Sequence, residues 1–275
     1  MSPLDTVRQI ARELDEAAVP SPRVDAELLV AHVLGLSRTE LYAADRPVGA
    51  EQLARLRALV ERRRAREPLA YVLGEWGFRR LMLAVDGRAL VPRPETEGVV
   101  ERCLVHLRGL ASPRVLDVGT GSGAIALAIA DEHAGARVVA VDRADGALAL
   151  AHDNLARAAL NGRVELRHGD LLEGLVGPFD LIVSNPPYVP AADYDTLQPE
   201  IRLYEPFEAV VGDGVWREIA RDARALLAPG GHLVLEVGDG QAAQVAEGLT
   251  ALGYEEVHCT PDLAGRDRTV EARRP

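Results

Sequence analysis

The 275-residue sequence predicts an α/β fold, in which a parallel sheet is covered by helices on both faces and follows a small all-helical domain. From about residue 94, short apolar runs of strand length alternate with segments of helical periodicity, which is typical of a parallel sheet. Before residue 76, apolar residues recur at spacings of three and four, as on buried helix faces. We therefore predict a helical domain over residues 1–75, a linker over 76–93 and the α/β domain over 94–275.

The helical segment contains signals for three helices. Residues 7–14 carry apolar side chains at helical spacing, and Ser21-Pro22 opens a second helix because proline fits a first turn. Residues 50–64 fit a third helix, which ends in a run of charges over residues 61–67. We interpret that run as a solvated helix face, the alternative being a docking patch for a partner.

The linker and the α/β domain have their own turn and strand signals. Asp86-Gly87 lies between two apolar runs, which predicts a β-hairpin over residues 81–91. Residues 189–214 are rich in Pro, Asp and Tyr and are predicted to be an irregular loop on the substrate side. The predicted strands cover residues 114–118, 137–142, 163–167, 179–184 and 232–237. Predicted helices between them cover residues 147–159 and 215–227. Residues 255–259 and 268–272 are predicted to form a closing antiparallel hairpin.

Composition excludes several classes of protein. The net charge is −11, and a nucleic-acid-binding protein needs a basic surface, so we expect no direct contact with nucleic acid. There is neither an apolar run of membrane-spanning length nor a signal peptide, so we expect a cytoplasmic protein with no membrane contact. Two cysteines and seven scattered histidines form no ligand spacing, so we expect no metal site. We also expect a monomer.

A glycine-rich turn follows the first predicted strand. Glycine has no Cβ and lets the backbone approach a ligand closely, and the carboxyl ends of parallel strands are where such sheets bind ligands. Asp142 ends the next strand, where its carboxylate can accept hydrogen bonds from both hydroxyls of a ribose. The combination predicts a site for an adenosine-type nucleotide. The turn reads Asp117-Val118-Gly119-Thr120-Gly121-Ser122-Gly123-Ala124.

The glycine turn does not by itself identify the cofactor. The spacing of Gly119, Gly121 and Ala124 satisfies the dinucleotide-binding pattern, and that of Gly119, Gly121 and Gly123 satisfies the tighter pattern of S-adenosylmethionine (SAM) sites. Two further residues extend the adenosine interpretation. Asp170, after the third strand, can accept from the exocyclic amine of adenine, and Leu171 can pack on the ring.

The residues after the fourth strand indicate the chemistry. Asn185-Pro186-Pro187-Tyr188 follows residues 179–184, which we place next to the first strand. The side-chain carbonyl of Asn185 and the main-chain carbonyl of Pro186 are two acceptors near one point, and a planar NH2 group has two donors in its plane. Tyr188 can form a wall against such a group. The pattern favours SAM as cofactor and methyl transfer to an amide-type nitrogen.

These observations define the candidate site residues. The candidate cofactor-binding residues are Asp117, Gly119, Thr120, Gly121, Ser122, Gly123, Asp142, Asp170, Leu171 and Asn185. The candidate catalytic residues are Asn185, Pro186 and Tyr188, and the candidate substrate-binding residues are Asn185, Pro186, Pro187 and Tyr188.

With these motifs, the sequence resembles the PrmC/HemK family, the protein-(glutamine-N5) methyltransferases that act on peptide-chain release factors. The resemblance covers nearly the whole chain. Asn-Pro-Pro-Tyr also occurs in DNA adenine and some RNA guanine methyltransferases, so the run Pro-Arg-Pro-Glu-Thr-Glu and the helical domain are more specific. The segments that carry the resemblance are Glu67-Pro68-Leu69-Ala70-Tyr71 with Gly74, residues 91–97, residues 117–123, Asp142, residues 185–188, Glu205-Pro206 and residues 265–268.

The resemblance implies a Rossmann-like class I SAM-dependent methyltransferase sheet with a small all-helical N-terminal domain that helps to hold the partner. It implies that the substrate is the glutamine in the Gly-Gly-Gln loop of class 1 release factors, that methylation there modulates translation termination, and that S-adenosylhomocysteine is the product. The alternatives are an N-methyltransferase of a ribosomal-protein glutamine, one of adenine or guanine in nucleic acid, and a nucleotide-sensing module without activity. The last would leave Asn185 to Tyr188 without a role.

Overall fold

The structure is a computed structural model that describes residues 1–275. Its helices are α1 (Pro3–Glu16), α2 (Pro22–Leu34), α3 (Arg38–Ala43), α4 (Ala50–Arg64), α5 (Leu69–Leu73), α6 (Thr96–His106), α7 (Ala124–Glu132), α8 (Asp145–Arg157), α9 (Pro199–Tyr204), α10 (Phe207–Val210), α11 (Val215–Leu226) and α12 (Ala242–Ala251). Its strands are β1 (Glu75–Phe78), β2 (Leu81–Ala84), β3 (Arg114–Val118), β4 (Arg137–Asp142), β5 (Val164–His168), β6 (Phe179–Ser184), β7 (Leu227–Glu236), β8 (Glu255–Pro261) and β9 (Asp267–Arg273). No helix has the length and apolar character that crossing a membrane requires.

Seven strands form one mixed sheet, which confirms the predicted fold class. Their order is β5-β4-β3-β6-β7-β9-β8. The first five strands of that order run parallel, and β9 and β8 close the sheet as the predicted antiparallel hairpin. Strand β6 lies beside β3, as predicted from the sequence. The carboxyl ends of β3, β4 and β6 therefore meet at one edge of the sheet.

The buried faces of the sheet follow directly from the apolar runs in the sequence. Leu116 in β3, Ile182 in β6 and Leu233 in β7 are completely buried in one continuous core. Three predicted strands match β3, β4 and β6 at both ends, β5 is shifted by one residue from its prediction, and β7 is longer than predicted. Strand β7 begins earlier than predicted because Leu227 pairs with Phe179, and a register irregularity after Phe179 accommodates the glycines that follow Leu227.

The prediction of a β-hairpin over residues 81–91 is wrong in its position. The hairpin consists of β1 and β2, and its turn is Arg79-Arg80. Arg79 has a positive φ of 53°, and its guanidinium pairs with Glu132 at 2.5 Å while its N–H donates to Glu97. Asp86-Gly87 does form a turn, but no strand follows it. The tertiary ion pair to Glu132 stabilises a turn that local sequence does not favour.

Residues 189–214 were expected to be an irregular loop, and the structure corrects this. The segment contains a 3-10 helix over Ala191–Thr196, followed by α9 and α10. Val189 and Val211 form an isolated bridge in which Gly212 N–H donates to Val189 O at 3.0 Å. Helices of only four to six residues are too short to show the apolar periodicity that identifies a helix in a sequence.

The chain divides into two compact units. One contains Met1–Glu75 together with Leu197–Tyr204, and the other contains Trp76–Thr196 and Glu205–Pro275. In the first unit, α1, α2 and α4 enclose a core that includes Leu14, Leu29 and Leu56. Helix α3 begins with a capping box, in which Ser37 Oγ accepts from Glu40 N–H and the Glu40 carboxylate accepts from Ser37 N–H.

The run of charges at the end of α4 is a solvated helix face only in part: Glu61, Arg62 and Arg64 are exposed, whereas Arg63 and Arg66 belong to an ion-pair network. The Arg63 side chain is only 5% exposed and donates to Asp25 at 2.7 Å and to Glu200 at 2.9 Å. Arg66 pairs with the other oxygen of Glu200 at 2.6 Å. Burial raises the pKa of Asp25 despite the pairing with Arg63, because desolvation disfavours its charged form. This network attaches α9 to the helices of the first unit.

We predict that Arg63→Ala destabilises the first unit by about 3–5 kcal/mol, because the substitution leaves Asp25 buried without a cation. The measurement is chemical denaturation followed by circular dichroism. Arg64→Ala is the matched control, since Arg64 is the next residue along the helix and pairs only with the exposed Glu61. The control should cost about 0–1 kcal/mol. Equal losses in the two variants would contradict the role of the network.

Candidate active site

A cavity of about 390 Å³ lies at the carboxyl edge of the sheet. Its volume is within the range of small-molecule sites, which is about 300–1,000 Å³. One wall is the glycine-rich turn after β3, and the ends of β4, β5 and β6 contribute further residues. The remaining walls come from residues 88–93 and from residues 206–211. The cavity therefore combines the predicted motifs with two segments to which the sequence analysis assigned no chemical role.

The glycine-rich turn depends on backbone conformations that favour glycine. Gly119, Gly121 and Gly123 have φ values of 72°, 57° and 84°. The N–H groups of Gly119 and Thr120 both donate to Val141 O, at 2.9 and 3.0 Å, and attach the turn to the end of β4. Five turn residues line the cavity, namely Gly119, Thr120, Gly121, Ser122 and Ala124. Gly123 instead packs near Leu127 and is not in the wall.

Asp142 lies in the cavity wall and is held by the backbone. Its Oδ2 accepts from Gly121 N–H at 2.8 Å, and its Oδ1 accepts from Ala144 N–H at 2.9 Å. A carboxylate has about four acceptor positions, so two remain for a ligand. The same residue thus fixes the glycine-rich turn and offers acceptors to the cavity.

Asp117 is placed differently from the other candidate residues, because it is completely buried beneath the turn and does not line the cavity. Its Oδ2 accepts from Thr120 Oγ1 at 2.6 Å and from Ala126 N–H at 3.2 Å, whereas its Oδ1 has no partner. Burial raises the pKa of Asp117 to about 7. The carboxyl group stabilises the turn from below, because it accepts hydrogen bonds from the Thr120 hydroxyl and the Ala126 N–H.

The four residues after β6 divide between the cavity and the core. Asn185 and Pro187 line the cavity, whereas Pro186 is buried and Tyr188 lies outside the wall. The main-chain carbonyl of Tyr188 accepts from Gln241 Nε2 at 2.9 Å. Burial raises the pKa of the Tyr188 hydroxyl, so the ring is uncharged at neutral pH. The structure therefore brings Asn185, but not Tyr188, to the glycine-rich turn.

The register of the sheet determines where Asn185 lies. Ser184 pairs with Val118, so Asn185 follows at the same level as Gly119. The Asn185 Nδ2 group donates to Thr96 Oγ1 at 3.3 Å, and Thr96 Oγ1 donates to Glu236 at 2.6 Å. Glu236 is buried, and that burial raises its pKa to about 7. Asn185 is thus the first member of a short polar chain that extends into the core.

Asp170 and Leu171 both lie in the cavity wall after β5. Leu171 has a positive φ of 47°, which turns the chain at this point. Gly169 N–H donates to Asp142 O at 3.1 Å, so the end of β5 is attached to the end of β4. The candidate residues of three consecutive strands therefore meet around one space.

Several residues of the site were missed by the sequence analysis. Asn154 in α8 is completely buried, and its side chain contacts both Ser122 O at 2.9 Å and the backbone of Ala84. Glu205 is buried and pairs with Arg93 at 2.7 Å. Arg93 and the residue after Glu205 both line the cavity, so this ion pair joins two of its walls.

A sequence signal existed for some of these residues. Arg93, Thr96 and Glu205 all lie in segments that carried the family resemblance, but spacing gave them no chemical role. Asn154 lies in a helix interior, where asparagine is unfavourable, and that is a weak indication of a specific contact. Nothing in the local sequence distinguishes Glu236 from other acidic residues, because only sheet topology places it near Asn185.

The chain is similar to two known protein families and to many known proteins. The PrmC N-terminal domain family matches residues 5–74, and the methyltransferase small domain family matches residues 101–201. A release factor glutamine methyltransferase from Deinococcus radiodurans is 46% identical over 274 residues, which covers 98% of each chain. The chain belongs to the release factor glutamine methyltransferase family. Another member of this family, from Streptomyces coelicolor, is 40% identical over 98% of both chains.

Membership of the release factor glutamine methyltransferase family confirms the resemblance found in the motifs. A solved structure, the T. thermophilus 16S rRNA N2 G1207 methyltransferase in complex with AdoMet and guanosine, matches with a TM-score of 0.53. It is 21% identical and covers 73% of this chain and 50% of its own. This likeness shows that the sheet has the fold of a methyltransferase. The chain's membership of the release factor glutamine methyltransferase family, at 46% identity, shows that it is a methyltransferase.

We predict that Asp117 makes the stability of this methyltransferase decrease as pH rises from about 4 to about 7. Its pKa is higher in the folded protein, at about 7, than in the unfolded chain, at about 4, so folding takes up a proton between these values. The contribution is most favourable below pH 4 and is lost above pH 7. Asp117→Asn should make the decrease smaller and leave the part that the buried Glu236 contributes, measured as the free energy of unfolding in urea at pH 4.5 and 7.5.

The exposed Asp145 provides the control, because Asp145→Asn should leave the pH dependence of stability as in the wild type. The pKa difference corresponds to about 1.4 kcal/mol per unit. Parallel pH profiles for wild type and Asp117→Asn would show that Asp117 does not take up a proton on folding.

Proposed function

We propose that this protein transfers the methyl group of SAM to the side-chain amide nitrogen of the glutamine in the Gly-Gly-Gln loop of peptide-chain release factors. The observation that carries the proposal is the position of Asn185 in the cavity wall, at the level of the glycine-rich turn. The names of the relatives in Deinococcus radiodurans and Streptomyces coelicolor support the choice of substrate.

The cavity fits SAM by its chemistry as well as by its size. The two acceptor positions of Asp142 that the backbone leaves free suit a ribose, and Asp170 beside Leu171 suits an adenine with an exocyclic amine. The wall contains both charges: Arg88 and Arg93 are paired with Asp86 and Glu205, whereas Glu208 and Glu218 add carboxylates beside Asp142 and Asp170. When bound, SAM supplies a methyl group on a positively charged sulfur and leaves as S-adenosylhomocysteine.

The residues after β6 are suited to hold an amide group. The nitrogen of a carboxamide is a poor nucleophile because its lone pair is delocalised into the carbonyl. A carbonyl that accepts one of its N–H bonds fixes the plane of the group and directs one face of the nitrogen towards the methyl group. Asn185 provides such an acceptor, and positive charge that develops on the nitrogen is stabilised by the same carbonyl dipole.

We also propose that residues 1–75 contribute to recognition of the release factor. A protein loop that enters a cavity needs further surface for stable binding, and a specific interface usually buries more than about 1,000 Å². The PrmC N-terminal domain match covers residues 5–74, which agrees with a dedicated unit in this family. The acidic character of the whole chain favours a partner with a basic face.

We predict that Asp142→Ala weakens SAM binding about tenfold to a hundredfold, because the variant loses acceptors for the ribose and the hydrogen bond that holds Gly121. Isothermal titration calorimetry with SAM measures this. Asp145→Ala is the control, since Asp145 is exposed, lies three residues further on and is not in the cavity wall. An unchanged dissociation constant for Asp142→Ala would refute the cofactor assignment.

We predict that Asn185→Ala reduces kcat at least a hundredfold while SAM affinity stays within a few-fold, because the lost carbonyl faces the reacting nitrogen. Mass spectrometry of a release factor incubated with labelled SAM measures the transfer. A release factor with glutamate in place of the target glutamine should not be methylated, since a carboxylate has no N–H group. Asn161→Ala, which changes an exposed asparagine, is the matched control. Wild-type turnover by Asn185→Ala would exclude the proposed role.

A further inference from the structure

Three polar side chains from three different elements form a single line of hydrogen bonds at the floor of the cavity. Asn185 follows β6, Thr96 is the first residue of α6, and Glu236 is the last residue of β7. Asn185 Nδ2 lies 3.3 Å from Thr96 Oγ1, which lies 2.6 Å from Glu236 Oε2. Thr96 and Glu236 are both buried, at 4% and 2% exposure, whereas Asn185 reaches the cavity.

The number of protons in this line determines the direction of each hydrogen bond. An ionised carboxylate can only accept, so the hydroxyl of Thr96 must donate its one proton to Glu236. Towards Asn185, the Thr96 oxygen then has only lone pairs to offer. The Asn185 group that faces Thr96 must therefore be the NH2 group, because a carbonyl oxygen there would meet another acceptor. The Oδ1 atom of Asn185 then faces away from Thr96 and has no hydrogen-bond partner within the protein.

Glu236 is ionised once the pH exceeds its raised pKa of about 7. Burial raises its pKa to about 7, while donation by Thr96 and the charges of Arg268 and Arg93 act in the opposite direction. The negative charge of Glu95 also raises the pKa of Glu236, and the nearby Tyr188 hydroxyl is uncharged. The 2.6 Å distance to Thr96 is typical of an O–H group that donates to a carboxylate.

We propose that Thr96 and Glu236 are positioning residues that fix the orientation of the Asn185 amide, so that its carbonyl oxygen points into the cavity. The inference rests on the proposed function in one respect, namely that the carbonyl is what accepts from the NH2 group of the substrate. It extends that function to specificity, because a reversed Asn185 would present N–H groups and would favour a carboxylate over a carboxamide.

Loss of the Thr96 hydroxyl should release this constraint. An asparagine amide has two orientations of similar shape, and without a fixed acceptor on one side both become populated. The reversed orientation cannot accept from the substrate nitrogen, so the transfer step slows while the cofactor site stays intact. The effect should therefore appear in kcat and not in SAM affinity.

The test compares Thr96→Val with Thr96→Ser in the full-length protein, with an intact release factor and SAM at pH 8. Valine keeps the shape of threonine without the hydroxyl, and serine keeps the hydroxyl without the methyl group. We expect kcat to fall at least tenfold in Thr96→Val and to recover to within about threefold of wild type in Thr96→Ser. The dissociation constant for SAM should stay within about twofold in both variants, which also shows that both are folded.

A second variant, Glu236→Gln, tests the charge at the end of the line. In the wild type, kcat should fall as pH decreases through about 7, the pKa of Glu236. Protonated Glu236 can donate to the Thr96 oxygen. The Thr96 hydroxyl is then free to donate its own proton to the Asn185 carbonyl, which favours the reversed orientation of the amide. Glutamine does not titrate, so Glu236→Gln should have a lower kcat at pH 8 and should lack this pH-dependent limb. If the limb persists unchanged in Glu236→Gln, Glu236 does not set the orientation.

A measurement without the release factor separates this inference from the proposed function. In the protein bound to S-adenosylhomocysteine, the side-chain NH2 of Asn185, assigned by its disappearance in Asn185→Ala, should exchange with solvent at least tenfold faster in Thr96→Val than in the wild type. If wild type does not methylate release factors but exchange rises as expected, the proposed substrate is wrong and the orientation stands. Equal exchange in the two proteins, or wild-type kcat in Thr96→Val, overturns the inference.

Discussion

The parallel pairing of β3 with β4 on one side and with β6 on the other is the constraint on which the rest of the site depends. In parallel strands, all carboxyl ends lie at the same edge, and residues that follow paired positions come to the same level. Because Val118 pairs with both Val141 and Ser184, the glycine-rich turn meets Asp142 on one side and Asn185 on the other. Consecutive residues of β3 and β6 are buried on both faces of the sheet, so a shift of register by one residue would exchange the side chains packed on its two faces, and core packing also fixes the geometry of the site.

Buried polar groups convert this edge into a defined cavity. Asp117 supports the glycine-rich turn from below, Asn154 attaches it to β2, and Glu236 terminates the line that begins at Asn185. Burying any of these polar groups without a hydrogen-bond partner costs free energy. The irregular segments therefore adopt the conformations that provide those partners. The buried Glu205 and its partner Arg93 fix the far wall in the same way. The methyltransferase thus uses hydrogen bonds to buried polar groups, and not loop rigidity alone, to shape its cavity.

The features that could be predicted from the sequence are those whose signal lies within one short segment. The strands were predicted well because apolar runs such as residues 179–184 are bounded by turn residues and need no partner to be recognised. The turn at Arg79 was missed, since its positive φ is stabilised by Glu132, far away in sequence. Arg63, within the run of charges at the end of α4, was misinterpreted for a related reason. A charged residue looks solvated in a sequence, and only its distant partner, as Glu200 is for Arg63, shows that it is buried.

The sequence by itself determined the fold class, the glycine-rich turn with Asp142, and the family, because local apolar periodicity and short motifs carry that information over a few residues. The tertiary structure alone decided which motif residues reach the cavity. It placed Asp117 and Tyr188 outside the wall, and it brought Thr96 and Glu236 to Asn185 across long stretches of chain. The physical reason is that hydrogen bonds between distant residues depend on strand order and helix packing, and neither is a property of any local segment.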